Sequence, residues 1–192
     1  MRRLWRDTGG AALVEFALVL PVMLLMGMGL CEMAYQAYMQ AVLTGAVQKA
    51  GRDSTVEGAN TATIDSGVLQ AVKNINGKAA FVAGYPTRKS YASFGYISPE
   101  SFVDSNGNGV RDPGECFTDV NGNGIWDADP GVSGNGGAGD TVLYTASITY
   151  TRLFPLGIWM GWGKTATLSA NTILKNQPWA AQTTAAAATV CT

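Results

Sequence analysis

An apolar stretch near the amino terminus, from Ala11 to Cys31, constrains this 192-residue chain more than any other feature. It reads AALVEFALVLPVMLLMGMGLC, and Glu15 is its only charged residue. An α-helix of that length is about 30 Å long, which matches the hydrocarbon core of a bilayer. Three arginines, at positions 2, 3 and 6, precede it, and basic residues favour the cytoplasmic side. We therefore expect one membrane-spanning helix, with the amino terminus inside and the remaining chain outside.

The residues before and around Glu15 form a processing motif. A short basic leader ends in Gly9 and Gly10, and Glu15 and Phe16 are the fifth and sixth residues after Gly10. Type IV prepilins are cut after such a glycine. The sequence RRLWRDTGGAALVEFALVLPVMLL resembles that of the TadE-type pseudopilins of the tight-adherence (Flp) pilus system. The resemblance covers about the first quarter of the chain.

This resemblance implies a structural minor pilin or pseudopilin of a tight-adherence pilus or of its assembly machinery. A prepilin peptidase would cut after Gly10 and leave Ala11 with a free amine. The Glu15 carboxylate would then pair with the terminal amine of a neighbouring subunit, which offsets the cost of a carboxylate in a low-dielectric bundle. The implied partners are other pilin or pseudopilin subunits, the inner-membrane assembly platform and membrane lipid. The implied location is the bacterial inner membrane, an extracellular pilus, or both.

Two simpler interpretations remain open. A plain membrane anchor, with Glu15 reaching the headgroups, would carry a calcium-dependent binding module outside the membrane without polymerising. A secretory signal peptide also has a basic front and an apolar middle, although no small-x-small cleavage site follows this one. The residue at which the mature chain begins distinguishes the three interpretations.

Charge and composition exclude several functions. The net charge is −1, so no basic surface favours nucleic acid beyond the leader arginines. The chain has no histidine, which removes the commonest general base and zinc ligand. No spacing of a nucleophile and a base stands out, so we expect no enzyme activity.

Hydrophobic periodicity predicts an α+β fold, in which a long amino-terminal helix carries a small antiparallel sheet. Apolar residues at spacings of three and four extend the helix over Leu13–Arg52, and Ser66 is predicted to cap a short second helix. Strict alternation predicts an antiparallel pair of strands over Thr141–Thr151 and Thr165–Leu174. Two shorter strands are predicted at Ala79–Ala83 and Tyr91–Ile97, with a turn over Gly84–Lys89 between them.

These elements divide the chain into four parts. We expect a leader at 1–10, a membrane and assembly helix at 11–52, an extracytoplasmic domain at 53–178 and an Ala/Thr-rich tail at 179–192. A glycine-rich linker is expected over Gly131–Gly139, just before the last strand pair. The segment Leu153–Trp162 is very apolar for a connection, and it either covers the core or contacts a partner subunit or the membrane surface.

A repeated acidic segment is inserted in the domain at 104–130. The sequence Asp-x-Asn-Gly-Asn-Gly occurs twice, beginning first at Asp104 and again at Asp119. The first copy satisfies the EF-hand loop pattern, in which alternate oxygen-bearing residues surround one calcium ion. Its expected ligands are Asp104, Asn106, Asn108, the carbonyl of Val110, Asp112 and Glu115.

The second copy departs from this pattern at its end. Its expected ligands are Asp119, Asn121, Asn123, the carbonyl of Ile125 and Asp127. Position twelve is Pro130, so Asp129, one residue earlier, is the candidate substitute. Six of the 14 acidic residues lie between Asp104 and Asp129, against one base, Arg111. We predict one or two structural Ca²⁺ ions here, the alternative being a solvated tandem of Asn-Gly turns without a metal.

Two of the three cysteines, Cys116 and Cys191, would lie on the oxidising side of the membrane. A disulfide persists in such a compartment. The sequence leaves open whether these residues meet as a disulfide or remain two free thiols.

Overall fold

The computed structural model describes residues 9–56, 58–154, 161, 163–177 and 187–191. The described chain has the expected α+β architecture, with one long helix followed by a shorter helix and antiparallel sheets. Three expectations fall wholly or partly outside these residues. They are the leader before Gly9, most of the apolar segment between Leu153 and Trp162, and most of the tail after residue 177.

Helix α1 (Gly9–Ser54) has 46 residues, and Pro21 lies inside it. Its side chains from position 12 to position 31 are exposed or half-exposed. Burial begins at Glu32, and Met39, Leu43 and Val47 are fully buried. Among the described residues, α1 is the one helix whose length and composition suffice to cross a membrane. The helix therefore has an exposed apolar half and a half that packs on the domain.

Helix α2 (Thr61–Lys73) begins earlier than the sequence predicts. Asn60 is its cap, because the Asn60 Oδ1 atom accepts a hydrogen bond from the Thr63 N–H at 3.1 Å. Ser66, the predicted cap, lies inside the helix and donates its hydroxyl to the Thr63 carbonyl. The prediction is wrong here because the small polar residues around Asn60 also suit a turn.

Within the described residues, seven strands follow the two helices in chain order: β1 (Ala80–Phe81), β2 (Thr87–Tyr91), β3 (Cys116–Asp119), β4 (Val132–Ser133), β5 (Thr141–Thr151), β6 (Thr165–Lys175) and β7 (Ala188–Cys191). The main sheet is antiparallel and centred on β5. One edge of β5 pairs with β6 along its whole length, and the other edge pairs with β2 and then β1. Strand β4 extends the sheet beyond β2.

The predicted antiparallel pair is confirmed, and β1 lies inside the predicted strand Ala79–Ala83, whereas the other short elements are shifted. The chain turns after Tyr91 and forms a 3₁₀ turn at Phe94–Tyr96, so the predicted strand over Tyr91–Ile97 is wrong. Strand β2 instead occupies residues assigned to a turn, and the expected linker forms β4. Strand β2 is mostly polar and β4 has only two residues, and pairing with β5 and β2 stabilises them despite their weak sequence signal.

The core lies between α1, α2 and one face of the main sheet. The sheet contributes the inward side chains of β5, all 2% exposed or less: Val142, Tyr144, Ala146, Ile148 and Tyr150. Strand β6 adds Ala166, Leu168 and Ala170, and α2 adds Val68 and Val72. Helix α1 packs closely on β6 at Gly51, where a Cβ atom would lie 2.8 Å from Thr172 Cγ2.

A polar cluster attaches α2 to the sheet. Arg88 Nη1 donates to Asp65 Oδ2 at 3.0 Å, and the Tyr144 hydroxyl donates to Asp65 Oδ1 at 2.9 Å. Burial, together with the bond to Asp65, raises the pKa of Tyr144. The tyrosine therefore stays protonated and keeps donating to the carboxylate.

A second, two-stranded sheet joins β3 to β7. Cys116 lies directly opposite Cys191, and the two form a disulfide across 75 residues of sequence. Cys31 is free and exposed on α1. The disulfide therefore holds the carboxyl-terminal strand against the middle of the chain.

Candidate functional site

The leading aspartate of each repeat copy closes a tight turn. Asp104 Oδ1 accepts a hydrogen bond from the Gly107 N–H at 2.7 Å, and its Oδ2 accepts one from the Gly109 N–H at 2.7 Å. Asp119 makes the same two bonds in the second copy, at 2.6 and 2.7 Å. The donating glycines have φ between 72° and 78°, which residues with a Cβ rarely adopt: Gly107, Gly109, Gly122 and Gly124.

A second carboxylate in each copy receives the asparagine side chains. Asp112 Oδ2 accepts from Asn106 Nδ2 at 2.7 Å and from Asn108 Nδ2 at 2.8 Å. Asp127 Oδ2 does the same in the second copy, accepting at 2.8 and 2.6 Å from Asn121 and Asn123. The side chains at loop positions three, five and nine are therefore in direct contact in both copies.

Glu115 completes the first copy. Its Oε1 accepts from the Ser105 N–H at 2.7 Å, and its Oε2 accepts from the Asp112 N–H at 2.9 Å. These N–H groups belong to loop positions two and nine. The Glu115 side chain, which is 7% exposed, therefore binds both ends of the loop at once.

In the second copy, the equivalent carboxylate comes from Glu100. The N–H groups of Val120 and Asp127, again loop positions two and nine, donate to Glu100 Oε1 and Oε2 at 2.8 and 2.9 Å. Glu100 is 3% exposed. It lies before the first copy in sequence and yet occupies the place in the second copy that Glu115 occupies in the first.

The backbone of Glu100 is held as firmly as its side chain. Trp126 Nε1 donates to the Glu100 carbonyl at 2.8 Å, and the Glu100 N–H donates to the Asp127 carbonyl at 3.0 Å. The EF-hand pattern does not point to Glu100, because it places every ligand of the second loop at or after Asp119. One signal was available, since the offset from Glu100 to Glu115 is the same as that from Asp104 to Asp119.

Asp129, the candidate substitute, is bound elsewhere. Its Oδ2 pairs with the Lys89 ammonium, and its Oδ1 accepts from the Tyr91 hydroxyl at 2.8 Å. Burial and this hydrogen bond raise the pKa of Tyr91 to about 12. Asp129 therefore ties the end of the repeat to β2 and makes none of the contacts with the second loop that Glu100 makes.

Backbone N–H groups keep the two leading aspartates ionised. The N–H of Gly109, followed by that of Gly107, lowers the pKa of Asp104. Burial raises the pKa of Asp119, but the N–H groups of Gly124 and Gly122 outweigh it, and the pKa is lowered. Asp104 and Asp119 therefore stay ionised at a lower pH than a free aspartate does.

The oxygen groups of each loop are of mixed type. Within the described residues, no three His, Cys, Asp or Glu side chains form a metal site by themselves. Each loop instead brings carboxylates together with two asparagine amides. Such an all-oxygen, mixed set suits calcium and does not suit zinc or copper.

The processing motif lies on the exposed half of α1. Glu15 is exposed, and Phe16 is 59% exposed, so neither contacts the folded domain. Gly10 is part of the helix. The structure thus leaves the Glu15 carboxylate available to a group outside this chain.

A second carboxylate on α1, Glu32, is not among the residues that the sequence singles out. Its Oε2 accepts from the N–H groups of Leu153 and Phe154 at 3.1 and 3.2 Å, and its Oε1 lies 3.6 Å from Arg152 Nη1. It is 5% exposed. Glu32 therefore binds the end of β5 to the helix immediately after the apolar half.

The exposed apolar half of α1 and the half that packs on the domain form one continuous helix. Residues 10–52 match the family model described as TadE-like protein. This TadE-like segment begins at the glycine of the processing motif and ends two residues before α1 does. It covers less than a quarter of the chain, so the sheets and the repeat lie outside it. Comparison with curated proteins and with solved structures found no match.

Proposed function

We propose that the protein is a structural, pilin-like subunit of a tight-adherence (Flp-type) pilus or of its assembly machinery. One observation carries the proposal: the TadE-like match at residues 10–52 coincides with α1, whose amino-terminal half is apolar and exposed. A side-chain surface of that kind requires lipid or other apolar helices around it. TadE-like proteins are pilin-like and form a structural rather than an enzymatic family.

The proposed mechanism is assembly. A prepilin peptidase cuts after Gly10, and the apolar half of α1 then leaves the membrane to pack beside the helices of other subunits. Glu15 pairs with the terminal amine of a neighbour, because an ionised carboxylate inside a helix bundle needs a cationic partner. That pairing also fixes the axial register of the two helices.

The amino-terminal residue of the protein isolated from its own cells tests the processing step. Mass spectrometry is expected to find a chain that begins at Ala11. A chain that begins at Met1 would support the alternative function, a membrane-anchored calcium-dependent binding module that does not polymerise. A chain that begins after Cys31 would mean a secreted domain and would exclude assembly through α1.

Substitution of Glu15 tests the assembly step. Glu15→Ala is expected to insert into the membrane normally but to assemble poorly, measured as the fraction of subunit recovered in sheared pili. Asp53→Ala is the matched control, since Asp53 is a carboxylate on the same helix that pairs with Lys49 at the surface. Normal recovery of the Glu15→Ala subunit would remove this role.

We further propose that each repeat copy binds one structural Ca²⁺ ion. In the first loop the ligands are Asp104, Asn106, Asn108, the Val110 carbonyl, Asp112 and Glu115. In the second loop they are Asp119, Asn121, Asn123, the Ile125 carbonyl, Asp127 and Glu100 in place of Asp129. The support is the equivalence of the contacts that Glu115 and Glu100 make with loop positions two and nine.

A cation would also relieve the charge of the repeat. In the described structure the buried carboxylates Glu100, Glu115 and Asp119 accept hydrogen bonds from backbone N–H groups. An ion with two charges stabilises such a cluster more strongly than dipoles do, so calcium is expected to rigidify the loops. The expected role is structural, with the repeat fixed in one conformation when loaded.

Calorimetric titration of the full-length protein in detergent with CaCl₂ tests the ligand set. The wild type is expected to bind two equivalents, and Glu115→Gln and Glu100→Gln are each expected to lose one. Asp129→Asn is the matched control and is expected to keep both. Loss of a site in Asp129→Asn but not in Glu100→Gln would reverse the assignment, and no calcium heat in the wild type would exclude the metal altogether.

A further inference from the structure

The folded domain follows the apolar half of α1 without a spacer. Helix α1 continues unbroken to Ser54, and burial against the domain begins at Glu32, directly after Cys31. The part of the helix from Ala12 to Cys31 is about 30 Å long, which is the thickness of the hydrocarbon core. A helix that uses this length to cross the membrane leaves the domain no room to stand away from its surface.

Contacts along α1 show which end of the domain faces the membrane. Nearest to the apolar half, Glu32 binds the N–H of Leu153, just after β5 ends. The Tyr35 and Tyr150 rings follow with centroids 5.9 Å apart, and then Gln40 Nε2 donates to the Ser169 carbonyl at 3.0 Å. Gly51, near the far end of α1, adjoins Thr172 and Leu174. The end of β5 and the start of β6 therefore form the part of the domain closest to the membrane.

We call four described residues at this end of the domain the base: Met33 on α1, Arg152 and Leu153 just after β5, and Lys164 just before β6. Met33 is 71% exposed and Leu153 is 51% exposed, although both are apolar. Lys164 is exposed, and the Arg152 N–H donates to its carbonyl at 3.1 Å. Apolar side chains beside a lysine suit the interfacial layer of a bilayer. The apolar side chains lie below the lipid phosphates, and the lysine ammonium group binds the phosphates.

We infer that the base rests on the outer surface of the bilayer that α1 spans, with Met33 and Leu153 in the interfacial layer and Lys164 at the lipid phosphates. The occupant is lipid because the base continues the surface of the span. Leu30 is 66% exposed, and Met33 follows it by only about 5 Å along the helix axis. The inference rests on the proposed membrane-spanning role of α1 before assembly.

Glu32 is the positioning residue of the base. Its carboxylate binds the N–H groups of Leu153 and Phe154 and lies beside Arg152, so it fixes the end of β5 to the point where α1 leaves the apolar layer. Met33, by contrast, is held by the helix itself. Loss of the Glu32 carboxylate is therefore expected to move Leu153 relative to lipid and to leave Met33 in place.

Quenching of a site-specific fluorophore by nitroxide lipids tests the inference. Full-length protein with Cys31→Ser, which removes the free cysteine and keeps the disulfide, would be labelled at one introduced cysteine and reconstituted in phosphatidylcholine liposomes. The base is probed by Leu153→Cys and Met33→Cys, and the span by Leu24→Cys. Val132→Cys is the matched control, being 58% exposed on β4 at the opposite end of the sheet, about 30 Å from the base.

Headgroup nitroxides are expected to quench the labels at positions 153 and 33 and to leave the label at 132 unchanged. Deep acyl-chain nitroxides are expected to quench the label at 24. Quenching at 24 without quenching at 153 and 33 would overturn the inference alone, whereas no quenching at 24 would overturn the span as well. Protection of 153 from aqueous iodide without quenching by lipid would mean that a protein covers the base.

Two further variants keep the result interpretable. If Leu153→Cys does not fold, the label at position 33 carries the test, because that position lies on the helix surface. Glu32→Ala is expected to reduce lipid quenching at 153 but not at 33, and Glu32→Gln, which still offers an accepting oxygen, is expected to restore it. An equal loss at both positions would contradict the positioning role.

Discussion

At the scale of single residues, the leading aspartate of each repeat copy is held by several backbone hydrogen bonds. Asp104 and Asp119 each accept bonds from several consecutive backbone N–H groups, and their pKa values are lowered as a result. The folded loops therefore favour the ionised carboxylates over the protonated ones. That preference links the order of the loops to pH even in the absence of metal.

Acid is expected to loosen the repeat. A carboxylate whose pKa is lower in the folded chain stabilises it fully above the unfolded value of 3.8, and this stabilisation is lost as the pH falls through the lowered folded value. In calcium-free buffer, proteolysis between Asp104 and Asp127 should therefore accelerate between about pH 5 and about pH 2 with an acid-active protease. Asp104→Asn should cleave faster at all pH values and respond less to acid. Equal resistance of the wild type across this range would show that the N–H bonds do not order the loops.

At the scale of secondary structure, the contact between α1 and β6 depends on one glycine. Gly51 lies where α1 crosses Thr172 and Leu174, and a Cβ atom there would be 2.8 Å from Thr172 Cγ2 and 3.2 Å from Leu174 Cδ2. Gly45, nearly two turns earlier on the same helix, has no atom within 4 Å of the equivalent point. The two positions separate the effect of packing from that of helix propensity.

Alanine substitutions at these two glycines are expected to have opposite effects. Gly45→Ala should stabilise the protein by up to about 1 kcal/mol, since alanine favours the helix. Gly51→Ala should destabilise it by about 1–3 kcal/mol through overpacking against β6, despite the same gain in propensity. Thermal unfolding of the detergent-solubilised protein measures both. A gain in stability for Gly51→Ala would mean that β6 shifts to make room.

The elements that the sequence predicts well are those with an uninterrupted period. The predicted bounds and inward residues of strand β5 are correct, because apolar and polar side chains alternate from Val142 to Tyr150 with Leu143 as the one exception. Strand β2 is not predicted, because its residues are mostly polar. It is stabilised by pairing with β5, which lies about 50 residues later in the sequence. Local periodicity therefore identifies the long pair β5–β6 but not the short strands β2 and β4 on the other side of β5.

In the repeat, too, the contacts between residues close in sequence were predictable and the long-range contact of Glu100 was not. Its turns are determined locally by Asp, Asn and Gly at fixed spacings, so the sequence is sufficient to place them. Glu100 reaches the second loop across the whole first loop, so a search within one EF-hand loop could not include it. The period of the internal repeat is the only sequence feature that relates Glu100 to Glu115.

At the scale of the whole molecule, a disulfide joins the carboxyl-terminal strand to the repeat. Strand β3 lies between the two loops, with Glu115 immediately before it and Asp119 as its last residue. Its strand partner is β7, which Cys191 ties to Cys116. Both loops thus share one short strand, which β7 pairs with on one side and residues 101–103 hold on the other.

Removal of the disulfide is expected to free β7 and loosen both loops together. The double variant Cys116→Ser, Cys191→Ser should be less stable by about 2–4 kcal/mol, the usual cost of losing a disulfide. Hydrogen exchange should accelerate in β3 and in both loops while β5 and β6 stay protected. Cys31→Ser is the matched control and should leave exchange unchanged. Faster exchange in only one loop would show that β3 does not couple them.

Because Glu100 precedes the first copy and binds the second, the two copies can be moved into another protein only together. A graft that contained the second copy alone would lack the Glu100 carboxylate, whereas the segment 100–127 contains the second copy and Glu100 together. The two ends of that segment already meet, because the Glu100 N–H donates to the Asp127 carbonyl at 3.0 Å. The segment could therefore replace a tight surface turn of an unrelated scaffold without spreading the flanking strands, provided that Cys116, whose disulfide partner lies outside the segment, is replaced by serine.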